Sequence, residues 1–228
     1  MAFTVHAVMP GVWHIVDCMG VCMTLLEGEN AAMLVDTGYG IEDVADFMRH
    51  MTDLPLTVFL THNHHDHAMG ARCFPETYML EADMADWRMF TNDEMRRRVL
   101  TQAIGKNLPV DEKTFLAGEI PLPKVMKPGV IDLGGLTAEI IEAPGHTPGS
   151  AVVYVPERKL LLSGDDWNPC TWLFFPQALG LREYRSNMRG IQQLPFEKVL
   201  CPHREALYDR WMFDDFFNAL TDGNLRAA

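Results

Sequence analysis

The chain has 228 residues, of which 48% are hydrophobic and 22% charged, the make-up of a globular protein large enough to enclose a sizeable core. Its 19 basic residues stand against 31 acidic ones, a formal charge of −12, and a surface of that sign repels phosphate backbones, which speaks against nucleic acid as a partner. Bound cations would offset the charge locally, so a small anionic substrate stays compatible with it.

Short strands come first in chain order: Val12 to Asp17, Val21 to Glu27 and Ala31 to Asp36, parted by the turn residues Met19-Gly20 and Gly28-Glu29-Asn30. Ile41 to Met51 carries Ile41, Val44, Ala45 and Met48 at helical spacing, and Leu56 to Leu60 is an apolar run beside a proline, the signal of a buried strand. Glu81 to Ile104 reads as a helix with a basic cluster at Arg96-Arg97-Arg98, and Gly105 to Gly129, rich in Pro and Gly, as a connecting excursion. Strand signals return at Leu136 to Glu142, Ala151 to Val155 and Lys159 to Ser163. Arg182 to Leu194 reads as a helix, Lys198 to Cys201 as a short strand, and Glu205 to Leu220 as a closing amphipathic helix with Leu207, Trp211, Phe216 and Leu220 toward the core. There is no internal repeat. Two β-rich halves with helices between them predict sheets packed on each other with helices outside, in one domain over 1–228 with the excursion at about 81–130.

The five cysteines (Cys18, Cys22, Cys73, Cys170, Cys201) are odd in number and scattered, which fits a reducing compartment better than a disulfide framework. The start of the chain has no basic n-region followed by an apolar run, and no stretch approaches the roughly 20 apolar residues of a membrane span. The expectation is a soluble, cytoplasmic protein without a membrane partner; a homo-oligomer is left open.

Thr61 to Gly70, T-H-N-H-H-D-H-A-M-G, packs four histidines and an aspartate into ten residues just past a predicted strand. In an extended segment His62 and His64 point to one side and can reach one metal ion. Asp66 and His67 follow where the chain turns and can face a second. Imidazole nitrogen and carboxylate oxygen suit zinc, iron or manganese. The spacing is not the helical H-E-x-x-H of metalloproteases. A histidine-rich surface tract is the bland alternative, but five ligand-type residues in six positions, in a chain with nine histidines, favour a metal site. Further ligand types fall at the ends of three other predicted strands: His146 in A-P-G-H-T-P-G-S, Asp165 in L-L-L-S-G-D-D and His203 in K-V-L-C-P-H-R-E.

These motifs, preceded by D-T-G at Asp36 and taken in order from about Val12 to His203, resemble those of the metallo-β-lactamase-fold hydrolase superfamily. The resemblance implies an α+β fold, an αββα sandwich with two metal ions at one edge of the sheets. It implies that His62, His64 and His146 hold the first ion, that Asp66, His67 and His203 hold the second, and that Asp165 bridges them. Asp36 would support the ligand loop from behind, and His65 falls on a variable position. The chain is similar to the glyoxalase II and lactonase branch rather than to true β-lactamases, which generally lack the bridging aspartate. Acyl-homoserine-lactone lactonases place a tyrosine shortly after that aspartate, whereas here Asp166-Trp167-Asn168-Pro169-Cys170 follows.

Two divalent ions sharing a water, zinc first with iron or manganese as alternatives, acidify it to a hydroxide near neutral pH. That hydroxide is expected to attack a small ester, lactone or thioester; a small phosphodiester, or iron-dependent oxygenation at one site, are the alternative reactions. Asp66 is the candidate to take up and return the proton, with ligation alone as its other role. The aromatic stretch Asp165 to Pro176 offers Trp167, Trp172 and Phe174 as pocket walls for a small-molecule substrate, with core packing as the competing role. The hairpin Asp17 to Met23 is a candidate rim of the same site. His6, His14 and His50 lie outside the motifs and read as surface or packing residues.

Overall fold

A strand buried on both faces needs a layer on each side. Two such strands set the architecture: Cys22–Glu27, with five of its six residues buried, and Ala151–Val155, with all five buried. The computed structural model describes residues 3–169 and 172–220; Cys170 and Thr171 of the aromatic stretch lie outside the described residues. Its first sheet contains, in spatial order, β1 (Thr4–Met9), β2 (Val12–Val16), β3 (Cys22–Glu27), β4 (Ala32–Val35), β5 (Leu56–Phe59), β6 (Tyr78–Met79) and β7 (Lys124–Val125). The pairings are antiparallel up to β4 and parallel beyond it. Helix α1 (Val44–Met51) follows β4 and α2 (His65–Ala68) follows β5, while α3 (Trp87–Thr91), α4 (Asp93–Gly105) and α5 (Glu112–Phe115) lie between β6 and β7.

The second sheet is built from β8 (Gly129–Asp132), β9 (Thr137–Glu142), β10 (Ala151–Val155), β11 (Leu160–Leu162), β12 (Lys198–Leu200) and β13 (Leu207–Asp209), again in spatial order. Only β11 and β12 run parallel within it. Helix α6 (Leu181–Gln192) precedes β12, and α7 (Arg210–Ala219) follows β13.

Alternation along the strands divides the apolar residues between three interfaces. Val12, Leu26, Met33, Val35 and Phe59 of the first sheet meet Ala138, Ile140, Val153, Leu160 and Leu200 of the second. The opposite face of the first sheet, with Ile15, Leu25, Leu34 and Val58, packs on Val44 and Met48 of α1. The outer face of the second, with Val152, Leu161 and Val199, packs on Tyr184, Met188 and Ile191 of α6 and on Phe213 and Phe217 of α7. The fold is therefore the αββα sandwich expected. Burial of each such side chain contributes about 1.5–3 kcal/mol, which makes the inter-sheet layer a rigid platform for the loops at its edge.

Two expectations need correction, and the excursion gains detail. Glu81 to Ile104 is not one helix: a 3-10 turn at Glu81–Asp83 and α3 come first, then Asn92, extended, accepts the Met95 N–H and starts α4. A cap interrupts the helix where the apolar pattern runs on. The Gly105 to Gly129 excursion holds α5 and β7, and it is fastened by Arg96, whose buried guanidinium donates to the carbonyls of Phe115, Ala117 and Gly118. The closing helix begins at Arg210, because 207–209 pairs with β12 as β13. Arg210 donates to the carbonyls of Gln192, Leu194 and Phe196, which sets the helix phase. Trp211 is then 61% exposed and Leu207 37% exposed, while Phe213, Phe217 and Leu220 are buried. Strands β1, β7, β8 and β13 lie at sheet edges, where half-exposed residues leave no apolar run to read. No helix among the described residues is long and apolar enough to cross a membrane.

Candidate metal centre

The ligand-type side chains converge at the ends of β4, β5, β9, β11 and β12. β4 runs into Asp36, whose backbone is left-handed with φ 64°. Its Oδ1 accepts the Thr61 N–H at 2.7 Å and both oxygens lie within 3.0 Å of the Thr61 hydroxyl. Thr37 donates its N–H and its hydroxyl to the His67 carbonyl. β5 therefore emerges into an extended segment, and the chain turns helical only after His64, whose carbonyl accepts the N–H groups of His67 and Ala68. Gly70 closes the motif against the main chain: a Cβ there would lie 2.1 Å from the Thr37 carbonyl oxygen.

Three overlapping groups of ligand atoms result, each within 4.8 Å of one another: His62, His64 and His146; His62, His67 and Asp165; Asp66, His67 and His203. Asp165 lies between them, with Oδ1 3.5 Å from His67 Nε2 and 3.1 Å from His203 Nε2, and Oδ2 3.4 Å from His146 Nε2. His65 stands aside, its Nδ1 3.8 Å from Asp66 Oδ1 and its ring edge-on to Tyr39.

The hydrogen bonds behind the rings fix which nitrogen faces the centre. His67 Nδ1 donates to Asp36 Oδ2 at 2.9 Å and His146 Nδ1 to the Trp172 carbonyl at 2.7 Å, acceptors that leave no other tautomer. The Thr61 hydroxyl spends its proton on Asp36, so His62 Nδ1 donates to it at 3.1 Å. In His62 and His146 Nε2 is left as a lone-pair donor, and in His67 it becomes one when the ring gives up its second proton. His62 Nε2 and His67 Nε2 are buried and have no hydrogen-bond partner among the described residues, an arrangement that a cation satisfies. The residues present thus fit metal binding.

The electrostatics agree. Burial keeps His62 well on the neutral side, lowers His146, and holds His64 down to about 3. Burial also disfavours charge on Asp165, but His67 and His203 beside it outweigh that and keep it ionised. His67 is raised despite its burial, because Asp165, Asp36 and Asp66 surround it. Buried carboxylates around mostly neutral imidazoles make a site that calls for positive charge.

The aromatic stretch divides. Trp167, expected as a pocket wall, is 1% exposed and packs among Tyr208, Phe213 and Phe216; it follows the 3-10 turn Gly164–Asp166 after β11, and its carbonyl accepts the Ser163 hydroxyl at 2.7 Å. Trp172 lies edge-on to His203 at 4.5 Å, and Phe174, 48% exposed, packs on Phe175. Phe175 and Phe90 flank His64 at 4.5 and 4.4 Å, and Gln177 Nε2 lies 3.3 Å from His64 Nε2. Phe90, Gln177 and the buried carboxylate of Asp83 carry no signal in the sequence that distinguishes them from core or surface residues. A groove of about 660 Å³ between α1 and β5 shares no residue with the histidine cluster. Asp17 binds the N–H groups of Met19, Gly20, Val21 and Tyr39 and so shapes its hairpin. His14 is buried against Thr24 and the Arg204 carbonyl, and His6, half-buried, pairs with Glu205.

The family model of the metallo-beta-lactamase superfamily matches residues 16–203. Over 200 residues, 78% of this chain and 70% of the relative, the chain is 26% identical to the acyl-coenzyme A thioesterase MBLAC2 of Gallus gallus. A metallo-beta-lactamase from Pontibacter korlensis superposes with a TM-score of 0.67 at 18% identity, covering 96% of this chain and 100% of that one. TTHA1623, solved in a di-iron-bound form, superposes with a TM-score of 0.60 at 22% identity, covering 87% and 94%. At these identities the solved structures speak for the fold.

Proposed function

We propose that this chain, which belongs to the metallo-beta-lactamase superfamily and is a hydrolase of that superfamily, cleaves a small thioester with an apolar acyl group at a pair of divalent metal ions. The observation that carries the reading is the set of three overlapping His and Asp groups joined through His62 and His67. His62, His64 and His146 would hold one ion and Asp66, His67 and His203 the other, with Asp165 between. Zinc suits this nitrogen and oxygen set, as do iron and manganese.

Divalent ions bound there supply Lewis acidity, which lowers the pKa of water toward neutrality and polarises a carbonyl oxygen. The rest is the work of the chain. Asp66 turns Oδ2 toward His67 Nε2 and His203 Nε2, at 3.8 and 3.6 Å, and Oδ1 toward His65. One carboxylate oxygen can thus ligate while the other takes the proton of the attacking water and returns it to the leaving thiolate. Phe90, Phe175 and Trp172 line the ligand histidines with apolar surface, which excludes bulk water, and Phe174 extends that wall outward to meet an acyl chain. The 26% identical relative, named as an acyl-coenzyme A thioesterase, supports a thioester over other acyl compounds.

The test is metal analysis of the purified chain together with a panel of thioesters, esters, lactones and phosphodiesters, each with and without a chelator. Thioesters are expected to be turned over fastest, and only with metal present. A panel without metal-dependent turnover defeats the hydrolytic reading; a preference for phosphodiesters replaces the thioester.

A further inference from the structure

Two loops carry the first group of ligands. His62 and His64 flank Asn63 beyond β5 in one sheet, and His146 precedes Thr147 beyond β9 in the other. One side chain spans the gap between them. Asp83, 2% exposed, accepts the Asn63 N–H at 3.2 Å and the Thr147 hydroxyl at 2.7 Å on Oδ2, and the Gly149 N–H at 2.6 Å on Oδ1. Its own carbonyl accepts the Asn63 side-chain amide at 3.0 Å. Gly149 is shaped to this contact, since a Cβ there would lie 2.6 Å from the Asp83 carboxyl carbon and from its backbone nitrogen.

The asymmetry with Asp36 is informative. Asp36 reaches both groups, His67 directly and His62 through the Thr61 hydroxyl. Among the described residues the carboxylate of Asp83 bonds to Asn63, which sits between His62 and His64, and to Thr147 and Gly149, which follow His146; none of its partners belongs to the set Asp66, His67 and His203. Groups that orient ligands from behind typically change metal affinity by about 10- to 100-fold. Here that leverage falls on one side of the centre.

We propose that Asp83 is a positioning residue for the first metal site alone, holding His62 and His64 at a fixed spacing from His146, so that the two sites can be emptied separately. The inference rests on the two-metal reading above. A merely structural role would weaken both sites together.

Zinc binding to the full chain, measured by competition with a chromogenic chelator, decides it. The wild-type chain is expected to hold two equivalents, and Asp83→Ala to hold one as tightly as before and the other about 10- to 100-fold more weakly. The weakened site is identified in two backgrounds. In His146→Ala, which spares the second site, adding Asp83→Ala is expected to change nothing; in His203→Ala, which spares the first, it is expected to weaken the remaining equivalent. Asp83→Asn, which keeps one acceptor oxygen, is expected to fall between. Should Asp83→Ala fail to fold, Thr147→Val removes a single donor to the same carboxylate and is read in the same backgrounds. Equal loss in both backgrounds, loss only in His146→Ala, or no loss in either overturns the role of Asp83 and leaves the hydrolase reading standing. A wild-type chain that binds none of zinc, iron and manganese overturns both.

Discussion

Asp36 Oδ2 accepts the Nδ1–H of His67 at 2.9 Å from a backbone held at φ 64°. A non-glycine residue in that region costs about 1–3 kcal/mol, and it persists here because the same carboxylate also binds the Thr61 N–H and hydroxyl. The strain aims one carboxylate at two ligand-bearing segments.

Asp36→Asn tolerates the positive φ but keeps only one acceptor oxygen. Zinc affinity is expected to fall by about 10- to 100-fold at both sites, in contrast with Asp83. Chelator competition reads this directly, and wild-type affinity in Asp36→Asn would contradict it.

Gly70→Ala places a Cβ 2.1 Å from the Thr37 carbonyl oxygen, a main-chain atom with nowhere to go. A loss of about 1–3 kcal/mol is expected, seen as a lowered midpoint in urea. Gly190→Ala, in α6 with open space around it, is the control and is expected to stabilise by about 0.5–1 kcal/mol. If Gly70→Ala is as stable as the wild-type chain or more so, the steric account of Gly70 fails.

Phe174 is 48% exposed, so Phe174→Ala is expected to shift stability by less than about 0.5 kcal/mol. Its effect belongs to the substrate: kcat/KM for thioesters with long or aromatic acyl groups is expected to drop about tenfold, the size of a buried apolar contact of roughly 1–3 kcal/mol. Acetyl thioesters are expected to be nearly unaffected. An equal drop for both acyl sizes removes Phe174 from the pocket.

Metal removal is expected to lower the melting temperature, because the buried Nε2 atoms of His62 and His67 lose their partner and the carboxylates of Asp66 and Asp165 their counter-charge. Zinc should restore the midpoint in a concentration-dependent way, as binding to the folded state alone requires. A melting temperature indifferent to chelator and zinc argues against the site.

His14, which is not among the ligand residues, supplies a pH dependence. Burial lowers its pKa below the ordinary value of 6.5, against a smaller raising effect of the Arg204 carbonyl that accepts from it. The folded state favours the neutral ring, so its contribution is complete above about pH 6.5 and is lost as pH falls from there toward the depressed folded value. The stability difference between the wild-type chain and His14→Gln is therefore expected to shrink between pH 7 and pH 5. A difference that grows on acidification reverses the sign and defeats the assignment.

The pattern from His62 to His67 could be read without a structure because it is local. An extended pair followed by a turn places four ligand types within six residues, and the ends of β9, β11 and β12 delivered His146, Asp165 and His203 in recognisable order. The layers were equally readable, since Cys22–Glu27 and Ala151–Val155 are apolar on both faces. What the tertiary structure decided depends on contacts between distant segments. Trp167 packed inward on Tyr208 and Phe213, the closing helix took its phase from Arg210, and Asp83 met Thr147 and Gly149 across more than 60 residues of chain. Spacing and apolar periodicity describe what neighbours along the chain can do together. The partner of a buried carboxylate is chosen by how two sheets pack, and no local pattern carries that.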